Sequence, residues 1–108
     1  MHYILDNNMK IVHEEDLLKW KKWMENPENT QIAITKFKEP HQNVTISTVF
    51  LGVDVNSDIE SCLDLPLVFE TMVLTGSNKL YEERCHTYNE ALEMHETMVK
   101  RMEKWLKR

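Results

Sequence analysis

The sequence predicts an α+β protein in which an antiparallel sheet is packed by helices. Two runs rich in β-branched and aromatic residues, Val44–Gly52 and Pro66–Gly76, predict two central strands that end at glycines. An amphipathic pattern from Thr87 to Leu106 predicts a long C-terminal helix over that sheet. The predicted order is β-β-α-β-β-β-α, with about four to five strands and a short N-terminal helix.

Length, composition and charge limit the class of protein. The 108 residues predict one domain, residues 1–108, with one core. No apolar run approaches the roughly 18 residues of a membrane-spanning helix, and the polar N-terminus does not resemble a signal peptide. We therefore expect a soluble, intracellular protein without a membrane partner. The net charge of −5 disfavours nonspecific binding to nucleic acid, but it leaves room for a local basic pocket.

The segments before the central strands predict a hairpin and a helix. Tyr3–Leu5 and Met9–His13 predict the two strands of a small hairpin. Glu14–Asn26 predicts a helix with three acids in its first turn, where the dipole favours them, and Pro27 stops it. The residues at helical spacing on its apolar face are Leu17, Trp20 and Met24, and Trp23 lies off that face.

The remaining connections follow from alternation and polarity. Thr30–Lys38 alternates and predicts a strand that pairs antiparallel with the first central strand through a hairpin loop at Glu39–Asn43. Val53–Leu65 predicts a loop long enough to suggest a function. Ser77–Glu83 predicts a shorter polar loop, and Arg84–His86 an edge strand.

The C-terminal helix has the clearest pattern. Thr87 followed by Glu90 predicts a capping box. Oppositely charged residues one turn apart further support a helix. Its predicted apolar stripe is Ala91, His95, Met98, Met102 and Trp105.

Three motifs resemble a family of small proteins common in bacteriophages and prophages. ISTVFLG at 46–52, PLVFETMV at 66–73 and RCHTYNEA at 84–91, followed by Met94-His95, resemble the family's VSTVFLG, PLLFETMVFGG, RYTTWEEA and GH. The resemblance covers roughly residues 12–100 and includes the tryptophan pair of the first helix. The chain departs from the family at Val53-Asp54, where members have Asp-His. The resemblance implies a viral accessory protein in the cytoplasm of an infected bacterial cell.

Two charged residues are candidates for binding a ligand. Glu70 lies in mid-strand among apolar residues, where a carboxylate is costly unless it is paired. It is a ligand-binding acid, one half of a structural ion pair, for example with Arg84, or a carboxylate beside a groove open to water. Arg84 could offer its guanidinium to a carboxylate or phosphate, or it could serve as the partner of Glu70.

Thr87 and His95 complete the predicted ligand-binding set. Thr87 caps a helix N-terminus, which is a natural place for an anion. His95 lies on the apolar stripe and is either a ligand-binding group or a hydrogen-bonded core histidine. His86 and His95, with Cys85 nearby, could suggest zinc, but no ligand pair lies at i,i+4 spacing or in a CxxC motif, so we predict no metal and no cofactor. Cys85 and Cys62 are assigned to packing or to the surface.

The sequence favours binding over catalysis. It has no nucleophile elbow, phosphate loop or zinc-protease motif. Our leading interpretation is a phage-encoded, non-enzymatic protein that counters a host antiviral defence, by sequestering a nucleotide-derived immune signal or by binding a defence protein. A small enzyme that acts on a nucleotide or other anionic metabolite with Glu70 and His95 is one alternative. A structural or regulatory interaction module of the virus life cycle is the other. Seven methionines and the long apolar stripe also predict a homo-oligomer.

Overall fold

The computed structural model describes residues 1–39, 42–54 and 66–107 and confirms the α+β class. The strands are β1 (Tyr3–Leu5), β2 (Ile11–His13), β3 (Gln31–Glu39), β4 (Gln42–Phe50), β5 (Phe69–Thr75) and β6 (Asn78–Cys85). The helices are α1 (Leu17–Met24), α2 (Pro27–Thr30) and α3 (Tyr88–Leu106). Within these ranges no helix is both long enough and apolar enough to cross a membrane.

The two predicted central strands are hydrogen-bonded neighbours. β1 and β2 form a separate two-stranded sheet, and the other four strands form an antiparallel sheet in the order β3-β4-β5-β6. In this sheet Ile46 lies opposite Val73 and Val49 lies opposite Glu70. The predicted pairing of β3 with β4 is also confirmed, with Phe37 opposite Val44.

Two connections are shorter than predicted. The predicted polar loop at Ser77–Glu83 is wrong, because β6 already begins at Asn78. The turn consists of Gly76 and Ser77. Gly76 has a positive φ of 60°, which suits a tight hairpin turn, and an edge strand tolerates charged side chains. The predicted hairpin loop at Glu39–Asn43 is also too long, since β3 runs to Glu39 and β4 begins at Gln42.

The first helix begins later than predicted. Asp16 is the N-cap and accepts hydrogen bonds from the backbone N–H groups of Leu18 and Lys19. The acids therefore precede the helix. Its first turn consists of apolar and basic residues. Pro27 opens the four-residue α2, where its missing N–H costs nothing.

The core lies between one face of the four-stranded sheet and α3. Because strand side chains alternate, Val44, Ile46 and Val73 face the helix, where Met98 and Met102 pack against them. The predicted apolar stripe of α3 is confirmed for its four buried residues, Ala91, His95, Met98 and Met102. Trp105 is instead 40% exposed, because the last turns of α3 border an open groove beside β6.

The N-terminal elements close one end of this core. Trp23, which the pattern placed off the apolar face of α1, packs edge-to-face on Phe50 with ring centres 5.6 Å apart. Trp20 donates its indole N–H to the carbonyl of Gly52 at 3.0 Å. Leu17 is exposed, contrary to the predicted face, because the helix contacts the core through its later residues.

Candidate functional site

The four residues predicted to bind a ligand lie in three separate places. Glu70 and Arg84 are register partners on β5 and β6, on the sheet face that points away from α3. His95 lies under α3 on the opposite face and is buried. Thr87 caps the start of α3. The fold therefore does not join the four side chains in one cavity.

Glu70 and Arg84 form an ion pair with each other. The Arg84 Nε donates to Glu70 Oε2 at 2.9 Å, and its Nη2 also pairs with Glu82, which contacts Lys79. Burial and a hydrogen bond with Glu82 raise the pKa of Glu70 above its ordinary value, against the opposing effect of Arg84. Hydrogen bonds with Lys79 and Glu70 hold the pKa of Glu82 below its ordinary value. The structural ion pair left open by the sequence is thus the arrangement observed.

Replacing Arg84 with alanine should lower the free energy of unfolding by about 1–2 kcal/mol, because Glu70 would lose a partner while remaining largely buried. The side chain of Glu70 is 10% exposed and that of Arg84 is 41% exposed, so we expect less than the cost of breaking a fully buried pair. Urea unfolding measures the change. Removing both charges, as Glu70→Val with Arg84→Val, should cost less than the sum of the two single changes.

Lys100→Ala is the matched control for that experiment. Lys100 pairs with Glu96 on α3 at 3.5 Å, and both side chains are well exposed. Such a pair contributes about 0.5 kcal/mol or less. If Arg84→Ala has no larger effect than Lys100→Ala, the ion pair does not stabilise the sheet.

His95 is the centre of a buried hydrogen-bond network. Its Nε2 lies 2.9 Å from Thr35 Oγ1 and its Nδ1 lies 2.7 Å from Thr48 Oγ1, which lies 2.5 Å from Thr71 Oγ1. A neutral imidazole satisfies these hydroxyls, since one nitrogen donates and the other accepts. Burial lowers the pKa of His95 and so favours that neutral form. The network fastens α3 to β3, β4 and β5.

The start of α3 is a less favourable anion site than the sequence suggested. Thr87 Oγ1 accepts from the Glu90 N–H, and Glu90 Oε1 accepts from the N–H groups of His86 and Thr87. A cleft of about 350 Å³ opens here against the β1–β2 turn, and Lys10 also lines it. The Glu90 carboxylate already uses two backbone donors and adds negative charge, which opposes a second anion.

A groove lies between β6 and the last turns of α3. It is lined by residues that the sequence does not predict to bind a ligand. Two adjoining cavities, of about 200 Å³ and 210 Å³, share Tyr81, Arg101 and Trp105. Met102 lines the first cavity and Lys104 lines the second. We call this feature, defined by those five residues and Leu80, the β6–α3 groove.

The β6–α3 groove combines exposed rings with positive charge. Tyr81 is 47% exposed and Trp105 is 40% exposed. The guanidinium carbon of Arg101 lies 5.7 Å from the centre of the Tyr81 ring, which is a cation–π contact. Across the three described ranges, neither Arg101 nor Lys104 has an ion-pair partner. These cations can therefore neutralise an anion without first breaking an ion pair.

The sequence does not predict the groove, because the predicted loop at Ser77–Glu83 contains the residues of its β6 wall. Without that strand, Tyr81 had no predicted position beside α3. One signal was present in the helix: Arg101, Lys104 and Trp105 follow at i, i+3 and i+4 and so share one face. From the sequence alone, however, Trp105 fits the end of the apolar stripe equally well.

The remaining polar candidates add no metal site in the part of the chain that the structure describes. That part contains no group of three or more His, Cys, Asp or Glu side chains able to hold a metal ion. Burial raises the pKa of the Cys85 thiol to about 11, so it stays protonated at neutral pH. Cys62 and most of the predicted Val53–Leu65 loop lie outside the described residues.

Comparison of the chain with models of protein families, with curated proteins and with solved structures finds no match. Membership of a phage family therefore stays a prediction from the three motifs. Any functional interpretation depends on the geometry of the molecule together with those motifs.

Proposed function

We propose that this protein acts by binding: it holds a small anionic ligand in the β6–α3 groove and releases it unchanged. The observation that carries the proposal is the pair of cations, Arg101 and Lys104, without ion-pair partners among the described residues and beside the exposed rings of Tyr81 and Trp105. Guanidinium and ammonium groups provide charge for an anion, and the rings provide flat apolar surface.

The positions of the chemically reactive groups favour binding of a ligand over its chemical conversion. His95 is bound to two threonine hydroxyls below α3, away from the groove. Glu70 is paired with Arg84 on the other face of the sheet. Among the described residues, the groove is lined by no Asp, Glu, His or Cys, the side chains that most often act as general acid, general base or nucleophile.

The resemblance to phage proteins gives this binding a biological purpose. A nucleotide-derived signal is an anion because it carries phosphate, and a protein that removes such a signal from solution needs affinity but no turnover. We propose that the protein sequesters a nucleotide-derived immune signal in the cytoplasm of an infected bacterium. Binding to a host defence protein and activity as a small enzyme on an anionic metabolite are the competing functions.

Self-association is part of the same proposal. Besides the groove, α3 exposes Leu92, and α1 exposes Leu17 and Leu18. Apolar side chains that no other element covers favour contact with a second copy. A homo-oligomer would also increase the number of ligand sites for each particle.

Native mass spectrometry after incubation with lysate tests the proposal. The lysate comes from bacteria whose nucleotide-signalling defence has been activated, and lysate from cells without that defence is the control. We expect a ligand adduct only with the active lysate, and we expect heating to release a compound of unchanged mass. A released compound with a cleaved bond would support the enzyme, and a retained host protein with no small adduct would support the competing binding function.

A further inference from the structure

We infer that the β6–α3 groove recognises a nucleoside monophosphate unit, with the base against Tyr81 and Trp105 and the phosphate on Arg101 and Lys104. This inference rests on the proposed function and adds the class of ligand and its orientation. It follows from the placement of the rings, the placement of the charges and the size of the groove.

The rings come from different elements and meet at the same groove. Tyr81 belongs to the edge strand β6, and Trp105 belongs to the last turn of α3, so the two side chains stand on opposite walls. Met102, which is almost fully buried, also lines the groove. Tyr81 and Trp105 are both partly exposed as residues, and the guanidinium of Arg101 lies over one part of the Tyr81 ring. A planar base placed here would cover exposed apolar surface by stacking, which accepts any base because every base has a π-face.

The charges match a phosphate monoester better than a carboxylate. Arg101 and Lys104 lie three residues apart on one face of α3, and both line the second cavity. A phosphate monoester carries a charge of about −1.5 to −2 at neutral pH, so it can be neutralised by two cations. The contact with Tyr81 holds the guanidinium of Arg101 beside the ring site, where its N–H groups can reach phosphate oxygens.

The position in the helix makes both cations necessary. The C-terminal end of a helix carries partial negative charge, and the chain has a net charge of −5. The negative end of the helix and the negative net charge both repel an anion. An anion at this end of α3 is therefore held by local positive charge. The loss of either cation should strongly reduce the affinity for the anion.

The size of the groove favours a small binding unit. Each cavity, at about 200 Å³ or 210 Å³, is smaller than the roughly 300 Å³ at the lower end of small-molecule sites. The two cavities share Tyr81, Arg101 and Trp105 and so form one continuous groove. They provide one place for a ring and one for a charged group, which matches a single nucleotide.

Isothermal titration calorimetry with adenosine monophosphate, adenosine and inorganic phosphate tests the inference on the full-length protein. We expect adenosine monophosphate to bind at least tenfold more tightly than either half of the molecule. Arg101→Gln and Trp105→Ala should each weaken that binding at least tenfold. Thermal unfolding followed by circular dichroism checks that each variant remains folded.

Two matched controls come from the same helix. Lys100→Gln removes a neighbouring cation that is exposed and paired with Glu96. Leu92→Ala removes an apolar side chain that is 40% exposed, as Trp105 is, but lies at the other end of α3. Both variants should bind adenosine monophosphate within twofold of the unmodified protein.

The outcomes separate this inference from the proposed function. If adenosine monophosphate binds but Arg101→Gln and Trp105→Ala bind it equally well, the groove assignment is wrong while sequestration stands. If no probe binds and the active lysate also yields no adduct, both proposals are wrong. If no probe binds and Trp105→Ala converts an oligomer to a monomer, the groove is an interface between copies, and the inference is overturned.

Discussion

Replacing His95 with alanine is expected to lower the free energy of unfolding by about 3 kcal/mol. The change removes a buried imidazole and leaves a cavity between α3 and the sheet. It also leaves the hydroxyl of Thr35 without its partner, whereas Thr48 keeps its contact with Thr71. Urea unfolding followed by circular dichroism measures the difference between the variant and the unmodified protein.

Thr97→Ala, on the exposed side of the same helix, is the control and should change stability by about 0.5 kcal/mol or less. The dependence on pH provides a second readout. Because the pKa of His95 is lowered in the folded protein, the unfolded chain binds more protons below about pH 6.5, and stability should fall there. In His95→Gln this part of the pH dependence should be lost. An unchanged pH dependence would show that His95 is not buried in its neutral form.

Gly52→Ala is expected to cost about 2–3 kcal/mol, because the position combines a left-handed backbone with close packing. Gly52 has a φ of 74°, and a Cβ built there would lie 2.6 Å from the sulfur of Met24 and 3.1 Å from Trp20 Nε1. The Gly52 carbonyl also accepts hydrogen bonds from the Tyr3 N–H and the Trp20 indole. A displacement here would therefore loosen the N-terminal hairpin and α1 together.

Gly76→Ala separates the two causes. Gly76 also has a positive φ, of 60°, but its Cβ would enter open space. Gly76→Ala should therefore lower the free energy of unfolding by only about 1 kcal/mol, from backbone strain alone. Urea unfolding of both variants measures the packing contribution as their difference. Equal losses at the two positions would mean that Met24 moves aside without cost.

The sheet and the last helix could be predicted because their patterns depend on local sequence. β4 and β5 are uncharged or nearly so and rich in β-branched residues, and α3 has both a capping box and a regular stripe. β6 could not be predicted in the same way. Its eight residues include four charged side chains, and an edge strand of this kind is stabilised by its partner and not by burial.

The candidate site was harder to predict, because contacts between distant elements determine it. Sequence reasoning left two states open for Glu70 and for His95, and the partners that distinguish these states, Arg84 and Thr48, become adjacent only in the folded sheet. The groove depends on Tyr81 and Trp105, which lie 24 residues apart in the chain and meet only because α3 packs beside β6. The residue types alone do not predict that these two side chains lie close together.

We place ligand binding in the β6–α3 groove, and amide chemical-shift mapping locates it residue by residue. Isotope-labelled protein is titrated with adenosine monophosphate, and the shift of each backbone amide and tryptophan indole is followed. We predict that the largest changes fall on Leu80, Tyr81 and residues 101–105, together with the indole of Trp105. Largest changes at Lys10 and Thr87, or around Glu70 and Arg84, would contradict the claim.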